Sequence, residues 1–434
     1  MDLLAQACGL QLQDFAGQDS DVLMQVHLPD GRRVFRTAQE AQDPASIEIL
    51  GKGAPAFWQW QTRIAQAVWS LALRKFPFPP QTAVEASKLW QSATDWLFEQ
   101  PKHLTQLPEL ALAAFHPLWQ FVPPENPVLH WFLDGQLLIS AQTTLRSANA
   151  LYAAAALDLP RRGVRHLSGG MGAIAEKLVA VILQNGGQVL YRHTVERIVL
   201  ENGRVIAVEV GGRNAGSFST RRVVANLTPW NVRALLGDAC PRILRQLPEL
   251  PNGWGAFVLH LAVARSVFPA NTPLHSQLLA PAIQHGAPFG EGNSAFLSIS
   301  PTWDLSRVAP CECAVTISTH TALAQWQAYR ADRQTYSQAK ERLSEKLLDL
   351  AERTFPHLRE AIRFSMSGSP ITYAFYTRRS AGWVGGFPQV NLWQSQSPAI
   401  LPGLWLVGDS IFPGQSTAAV ALGGLRVAES VAQW

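Results

Sequence analysis

The spacing of apolar and polar residues changes several times along the chain, and each change predicts an element. Val22 to Thr37 (VLMQVHLPDGRRVFRT) reads as two strands joined at Pro29-Asp30-Gly31. From Phe57 to about Pro160 the pattern turns helical, with prolines dividing it into segments. In FWQWQTRIAQAVWSLALRKF, Phe57, Trp60, Ile64, Val68 and Leu71 share one stripe. Trp58, Ala65, Trp69 and Leu73 widen it beyond an ordinary amphipathic face, and Arg63, Arg74 and Lys75 stand nearby. Two readings stay open for this helix. It is either buried on most sides or laid in a membrane interface, where Trp and basic side chains are both favoured.

Met171 to Leu183 (MGAIAEKLVAVIL) predicts a helix, with Ile174, Leu178, Val181 and Ile182 on one face and Gly186-Gly187 ending it. The segment GQVLY then reads as a parallel-type strand. VERIVL, the Asn202-Gly203 turn and VIAVEV form a small antiparallel meander, and RRVVAN returns as a strand into Leu227-Thr228-Pro229. Gly255–Val263, Ser294–Ser300 and CAVTISTH predict a second, largely antiparallel sheet. Residues 334 to 353 are a helix with Leu343, Leu347 and Leu350 on its apolar face, and Arg363 to Arg379 is strand-like. LPGLWLVGDS closes on a buried strand, followed by a small-residue helix in FPGQSTAAVALGGLRVAESVAQW.

Length and composition narrow the field. The 434 residues suggest two intimately connected domains rather than one simple core. Charged residues are only 16% and apolar residues 47%, and seven of the fifteen tryptophans fall between Trp58 and Trp131. The net charge of +4 comes without a basic block, so no nucleic-acid partner is expected, and it gives weak support for a membrane surface. No run of about 18 apolar residues predicts a transmembrane helix, so any membrane contact is expected to be peripheral. Cys8, Cys240, Cys311 and Cys313 lack metal or disulfide spacing; Cys311 and Cys313 read as ordinary strand residues, and a reducing, cytoplasmic setting is expected. The eleven histidines form no ligand cluster, so no metal is expected.

The candidate chemistry lies at the C-terminal strand-to-helix junction. Gly408 lets the backbone approach a ligand, and Asp409 stands at the strand's carboxyl end, where open α/β sheets hold their ligands. Gly414, Gln415, Ser416, Thr417 and Ala418 open the last helix, whose free N–H groups and positive dipole end suit the electron-rich pyrimidine edge of a flavin. The alternative is an ordinary strand–turn–helix with a Gly-Asp turn. Gly170-Met171-Gly172-Ala173-Ile174-Ala175 also matches G-x-G-x-x-A, but the preceding RRGVRHLS is polar and no acidic residue follows for a ribose. We reject it as a primary dinucleotide fingerprint.

Together, HLSGGMGAIAEKL, GGQVLYRHTVERIVLENGRVIAVEV, VVANLTP, PTWDLSRVAP and GLWLVGDSIFPGQSTAAVALGGLRVAESV resemble the phytoene-desaturase-like FAD-dependent oxidoreductases over nearly the whole chain. Within that family the likeness is greatest to C-3′,4′ carotenoid desaturases and carotenoid cis–trans isomerases. The resemblance implies an α/β (mixed α+β) fold with a glutathione-reductase-like FAD-binding domain and a substrate domain of antiparallel sheet plus helices. Residues 166–232 and 386–434 are expected in the FAD domain, 21–165 and 233–385 in the substrate domain, and 1–20 as a linker remnant. It implies FAD contacts from Val195 at the adenine, Gly408 and Asp409 at the ribityl–pyrophosphate region, and Gln415 to Ala418 at the flavin ring, with Thr228 and Pro229 nearby. An apolar carotenoid polyene is the expected substrate, undergoing desaturation or cis–trans isomerisation. A flavin amine oxidase and a flavin-free carotenoid-binding remnant are the competing classes.

Family members begin with a strand, a G-x-G-x-x-G turn and a helix, which this sequence does not contain. The expectation is therefore an incomplete chain, or a separate N-terminal nucleotide-binding segment as partner. Asp134, Arg378 and Arg379 are candidates for proton handling only by position, with surface charge as the plainer role. The catalytic residue stays unassigned.

Overall fold

The computed structural model describes residues 2–38 and 43–434. Its largest sheet has seven strands in the order Ile362–Gly368, Trp254–Ala264, Glu312–Ala322, Ser294–Ile299, His275–Leu279, Val22–His27 and Arg33–Thr37. Every pairing is antiparallel except that of His275–Leu279 with Val22–His27. Trp254–Ala264 and Glu312–Ala322 alternate strictly between buried and half-buried residues, as a two-residue period dictates. Phe257, Leu259, Val315 and Ile317 point to one face and pack on Leu343, Leu347 and Leu350 of the helix Arg333–Thr354, which Asp332 caps. Trp254, His260 and His320 belong to the other, half-buried set.

A helical layer covers the hairpin end of this sheet. Phe57, Trp58, Trp60 and Ile64 of the helix Ala54–Ala72 pack with Leu129, Phe132 and Leu133 of Pro127–Ala141 and with Ala153, Ala154 and Leu157 of Ala150–Asp158. Gln61, fully buried, donates from Nε2 to the Ala154 carbonyl at 2.6 Å. The first of the two readings therefore holds for most of this helix: Phe57, Trp58, Trp60, Ile64 and Ala65 are core, whereas Leu73 at its end is exposed.

The third region is a three-stranded sheet, Ala399–Leu401, Leu404–Leu406 and Val223–Ala225, with the meander Thr194–Glu201, Arg204–Gly211 and Gly216–Ser219 beside it. Ile198 and Val205 of the meander share a core with Ala225, Leu404, Trp405, Leu406 and Val427.

Several expectations need correction. GQVLY carries no strand, and Leu190 and Tyr191 are exposed. A strand needs a hydrogen-bonded neighbour, and among the described residues none of the four sheets places one there. Arg363 to Arg379 is strand only to Gly368; Ser369 then caps a helix, Pro370–Thr377, in which Pro at the first position is tolerated. Cys311 precedes its strand in a left-handed turn, whereas Cys313 is buried within it. The polar stretch before Gly169 is a strand after all, Val164–Leu167, but it pairs with Gly17–Ser20 outside the parallel sheet. The Gly169 N–H donates to the Asp304 carboxylate at 2.9 Å, which accords with rejecting this turn as a phosphate site.

Candidate functional site

Leu404–Leu406 pairs in parallel with Val223–Ala225, so both chains leave the sheet at the same end. One exit is Asn226-Leu227-Thr228 and the other is Val407-Gly408-Asp409. They lie close: a Cβ at Gly408 would fall 2.8 Å from the Asn226 Oδ1, and the backbone there has φ +115°. The positive φ requires glycine there, while the Asn226 side chain could swing aside. Thr228 caps the helix Pro229–Leu236, and its hydroxyl also donates to the Asn231 Oδ1. Asn231 in turn donates to the Arg378 carbonyl and accepts from the Ser380 N–H. This fixes the loop that carries Arg379.

Arg379 reaches across to Asp409, its Nη2 lying 2.9 and 2.8 Å from the two carboxylate oxygens, while its Nε donates to the Trp383 carbonyl. Both side chains are half-buried. Charge-assisted bonds of this kind are the strong ones, and a pair so enclosed needs them to offset desolvation. Arg379 is thus no surface charge. Nor is Asp134: burial pushes its carboxyl up to about 6 against the opposing Leu145 N–H and the Arg146 charge.

A second group of side chains meets at the start of the last helix, Thr417–Gln433. Ser416 caps it, accepting from the Ala419 N–H, at a φ of 97° that a residue with a side chain rarely adopts. Gln415 Oε1 accepts from Gln142 Nε2 at 2.9 Å, and Gln415 Nε2 donates to the Ile139 carbonyl. Gln142 ends the helix Pro127–Ala141 in the left-handed region. Its carbonyl accepts from Trp254 Nε1, its Nε2 lies 3.3 Å from His320 Nε2, and its buried Oε1 has no partner among the described residues. Burial lowers His320 to about 4, so its imidazole is neutral.

The Gly385-Gly386 turn ties the two groups together. A Cβ at Gly385 would sit 2.4 Å from the Gln142 Cδ and 2.6 Å from the Gln415 Oε1. One at Gly386 would sit 2.2 Å from the Asp409 carbonyl oxygen. Helix 417–433, the Asp409 strand end, the Gln142 helix end and the His320 strand therefore converge on one glycine doublet.

Of the residues expected from the sequence, Thr228, Pro229, Gly408, Asp409, Gln415, Ser416, Thr417 and Ala418 gather around these two strand ends and the following helix start. Val195 lies on the neighbouring meander, opposite Val210 and partly exposed. Sequence reasoning missed Gln142, Asn226, Trp254, His320 and the Gly385-Gly386 doublet. The doublet in GWVGGF was the one local signal; the others come from segments far apart in the chain.

The residues present fit a flavin. Strand-end glycine, a carboxylate, a capped helix start and an unpartnered buried amide oxygen are the donors and acceptors that a ring with a polar edge and a sugar-alcohol chain needs.

Comparison with known proteins places this geometry. Residues 2–432 match the model of the family described as flavin containing amine oxidoreductase. A chloroplastic prolycopene isomerase of Daucus carota is 27% identical over 318 residues, covering 71% of this chain and 51% of that protein. An all-trans-retinol 13,14-reductase of Macaca fascicularis is 24% identical over 297 residues, covering 58% and 46%. The chain spans about half the length of the curated relatives it matches. A putrescine oxidase triple mutant superposes over all of this chain and 85% of its own, with a TM-score of 0.58 at 10% identity. An oxidoreductase from Methanosarcina mazei does so over 98% and 85%, with a TM-score of 0.55 at 16% identity. The parallel strand ends, the Asp409 carboxylate and the Gln415 helix start thus sit in a fold shared with putrescine oxidase, and the chain belongs to the flavin containing amine oxidoreductase family, with FAD as its cofactor.

Proposed function

We propose that this chain acts on an apolar polyene of carotenoid type, by cis–trans isomerisation or desaturation, rather than on an amine. One observation carries the reading. The groups around Gln142 are the Gln415 amide, the Trp254 indole and an imidazole held neutral, and the nearby Asp409 charge is already matched by Arg379. An alkylammonium finds no unmatched carboxylate among these partners to offset its desolvation, whereas a hydrocarbon needs none. The relatives named as prolycopene isomerases favour isomerisation over net desaturation.

In this reading Asp409 and the Gly408 turn hold the ribityl side of FAD, and Gln415, with the first N–H groups of its helix, faces the ring's pyrimidine edge. When bound, the flavin supplies the electron transfer. Gln142 orients Gln415 from behind, and His320 holds the Gln142 amide without adding charge. The exposed apolar side of the helix Gly172–Gln184, which buries none of its residues, and the exposed Leu190 and Tyr191 support a further part of the proposal. A separate nucleotide-binding segment packs there and completes the pyrophosphate side. Among the described residues no helix is long and apolar enough to cross a membrane. We take a lipid surface as the source of substrate.

The test is to supply the chain, with FAD and such a segment, with a lipid-dispersed poly-cis C40 polyene under reducing anaerobic conditions. The chromatographic profile should shift towards trans isomers. Peroxide release from amines in parallel aerated samples, with the polyene unchanged in the anaerobic ones, would discard the proposal.

A further inference from the structure

The helix Pro101–Phe115 turns its apolar side outward. Leu104, Leu107, Leu112 and Phe115 recur at helical spacing, and all four are exposed, Phe115 at 79%. Pro108 and Ala111 fill the same stripe and are exposed too. The charges lie elsewhere: Glu109, off the stripe, pairs with Arg63 of the helix Ala54–Ala72 at 3.0 Å. Amphipathic helices of soluble proteins normally bury the apolar stripe and expose the charges. Here the helix spends its carboxylate on the protein and offers its leucines to the outside.

At its C-terminal end the stripe runs into aromatic residues. Trp119 is exposed, and Trp393, exposed at 62%, stacks on Phe78 at 5.5 Å. Between Phe115 and Trp393 lies a crevice of about 320 Å³ whose lining also includes Arg146 and Asn149. The Asn149 N–H donates to the Gln389 carbonyl, and Gln389 also lines the cleft that contains Asp409 and Gly414. One layer of backbone therefore separates the crevice from the flavin side of the site.

We propose that the Leu104–Phe115 stripe rests on a lipid bilayer, with Trp119 and Trp393 at the headgroup level, and that the crevice beside Phe115 admits lipid-borne substrate. A bilayer suits this face better than a second copy does. The stripe carries no charge to set register, while tryptophans at its rim and a basic residue, Arg146, at the crevice match the apolar-to-anionic gradient of a lipid interface. The entry route rests on the polyene reading. The lipid contact does not.

The test uses the full chain, without flavin or polyene, and phosphatidylcholine–phosphatidylglycerol vesicles. The wild type should co-sediment with them, and the double variant L107E/L112E should lose roughly a hundredfold in partition while keeping its circular dichroism. F218E, which places the same charge at an exposed apolar position of the meander, should bind as the wild type does. Brominated lipid should quench the wild-type tryptophan emission, and W119F/W393F should lose most of that quenching; this decides the matter even if L107E/L112E fails to fold. Absent vesicle binding, unchanged binding by L107E/L112E, or unchanged quenching in W119F/W393F each overturns the proposal. So does a wild-type dimer that L107E/L112E dissociates without any lipid binding, which would assign the face to a second copy. Vesicle binding without polyene turnover would sink the substrate reading and leave this one standing.

Discussion

Arg379 holds both carboxylate oxygens of Asp409 through a single nitrogen, at 2.9 and 2.8 Å, and so joins the loop after the helix Pro370–Thr377 to the strand end expected to meet FAD. Removing either partner leaves the other charge enclosed and unmatched, the costly way to break such a pair. Asp409→Ala and Arg379→Ala should each lower the unfolding free energy by about 1–3 kcal/mol. The double variant should recover part of the loss. Asp409→Ala should in addition lower the flavin-to-protein absorbance ratio of protein completed with a nucleotide-binding segment. Strictly additive losses in denaturant titrations would show the pair to be uncoupled.

Gly386→Ala should be far more damaging than Gly169→Ala, although both glycines have positive φ. The backbone term alone costs about 1–2 kcal/mol at either position. At Gly169 a Cβ meets nothing within 4 Å, whereas at Gly386 it lands 2.2 Å from the Asp409 carbonyl, which sits in a tightly held turn. Urea midpoints of the two variants check this. Equal losses would mean that the glycine doublet is not a close-approach site.

Trp58→Ser should cost about 3–5 kcal/mol, as truncation of a buried aromatic does, while Trp90→Ser should stay within about 0.5 kcal/mol. Trp58 is 2% exposed, sits edge-on to Phe132 and lies under the Arg36 guanidinium, whereas Trp90 is 73% exposed. Thermal melts of the two single variants are sufficient to decide.

The same helix shows where the sequence was legible and where it was not. Its periodicity was plain, but a stripe of aromatic and aliphatic residues looks the same whether it meets lipid or protein. Only the partners Phe132 and Ala154, some 70 to 100 positions away, decide between them. GQVLY failed for the opposite reason: local strand character is sufficient for prediction, but a strand exists only where a neighbour pairs with it. The Gly408-Asp409 and Gln415–Ala418 junction was readable because its chemistry is contiguous. Gln142, His320 and Trp254 were not, since each comes from a different element and none carries a local motif.

Acid should destabilise the folded chain between about pH 6.5 and pH 4. Burial lowers His320, His275 and His27 each to about 4, with the neighbouring His166 adding to the effect at His275 and Arg33 at His27. Below the ordinary histidine value the unfolded chain takes up protons that the folded chain refuses, so the stability present above pH 6.5 is lost as pH falls towards 4. For the nearly fully buried His320 the limit is roughly 3 kcal/mol. Asp134 runs the other way: its folded carboxyl holds a proton up to about 6, so its contribution is full below the ordinary Asp value and is lost as pH rises through 6. The two trends overlap between pH 4 and 6, where three histidines outweigh one aspartate. His320→Gln should therefore flatten the fall in the urea midpoint over this range by about one proton, and Asp134→Asn should steepen it. Titration of the His320 ring by NMR offers the direct check. A midpoint near 6.5 would mean that water or a counter-charge reaches the imidazole, and the neutral surroundings assigned to Gln142 would have to be abandoned.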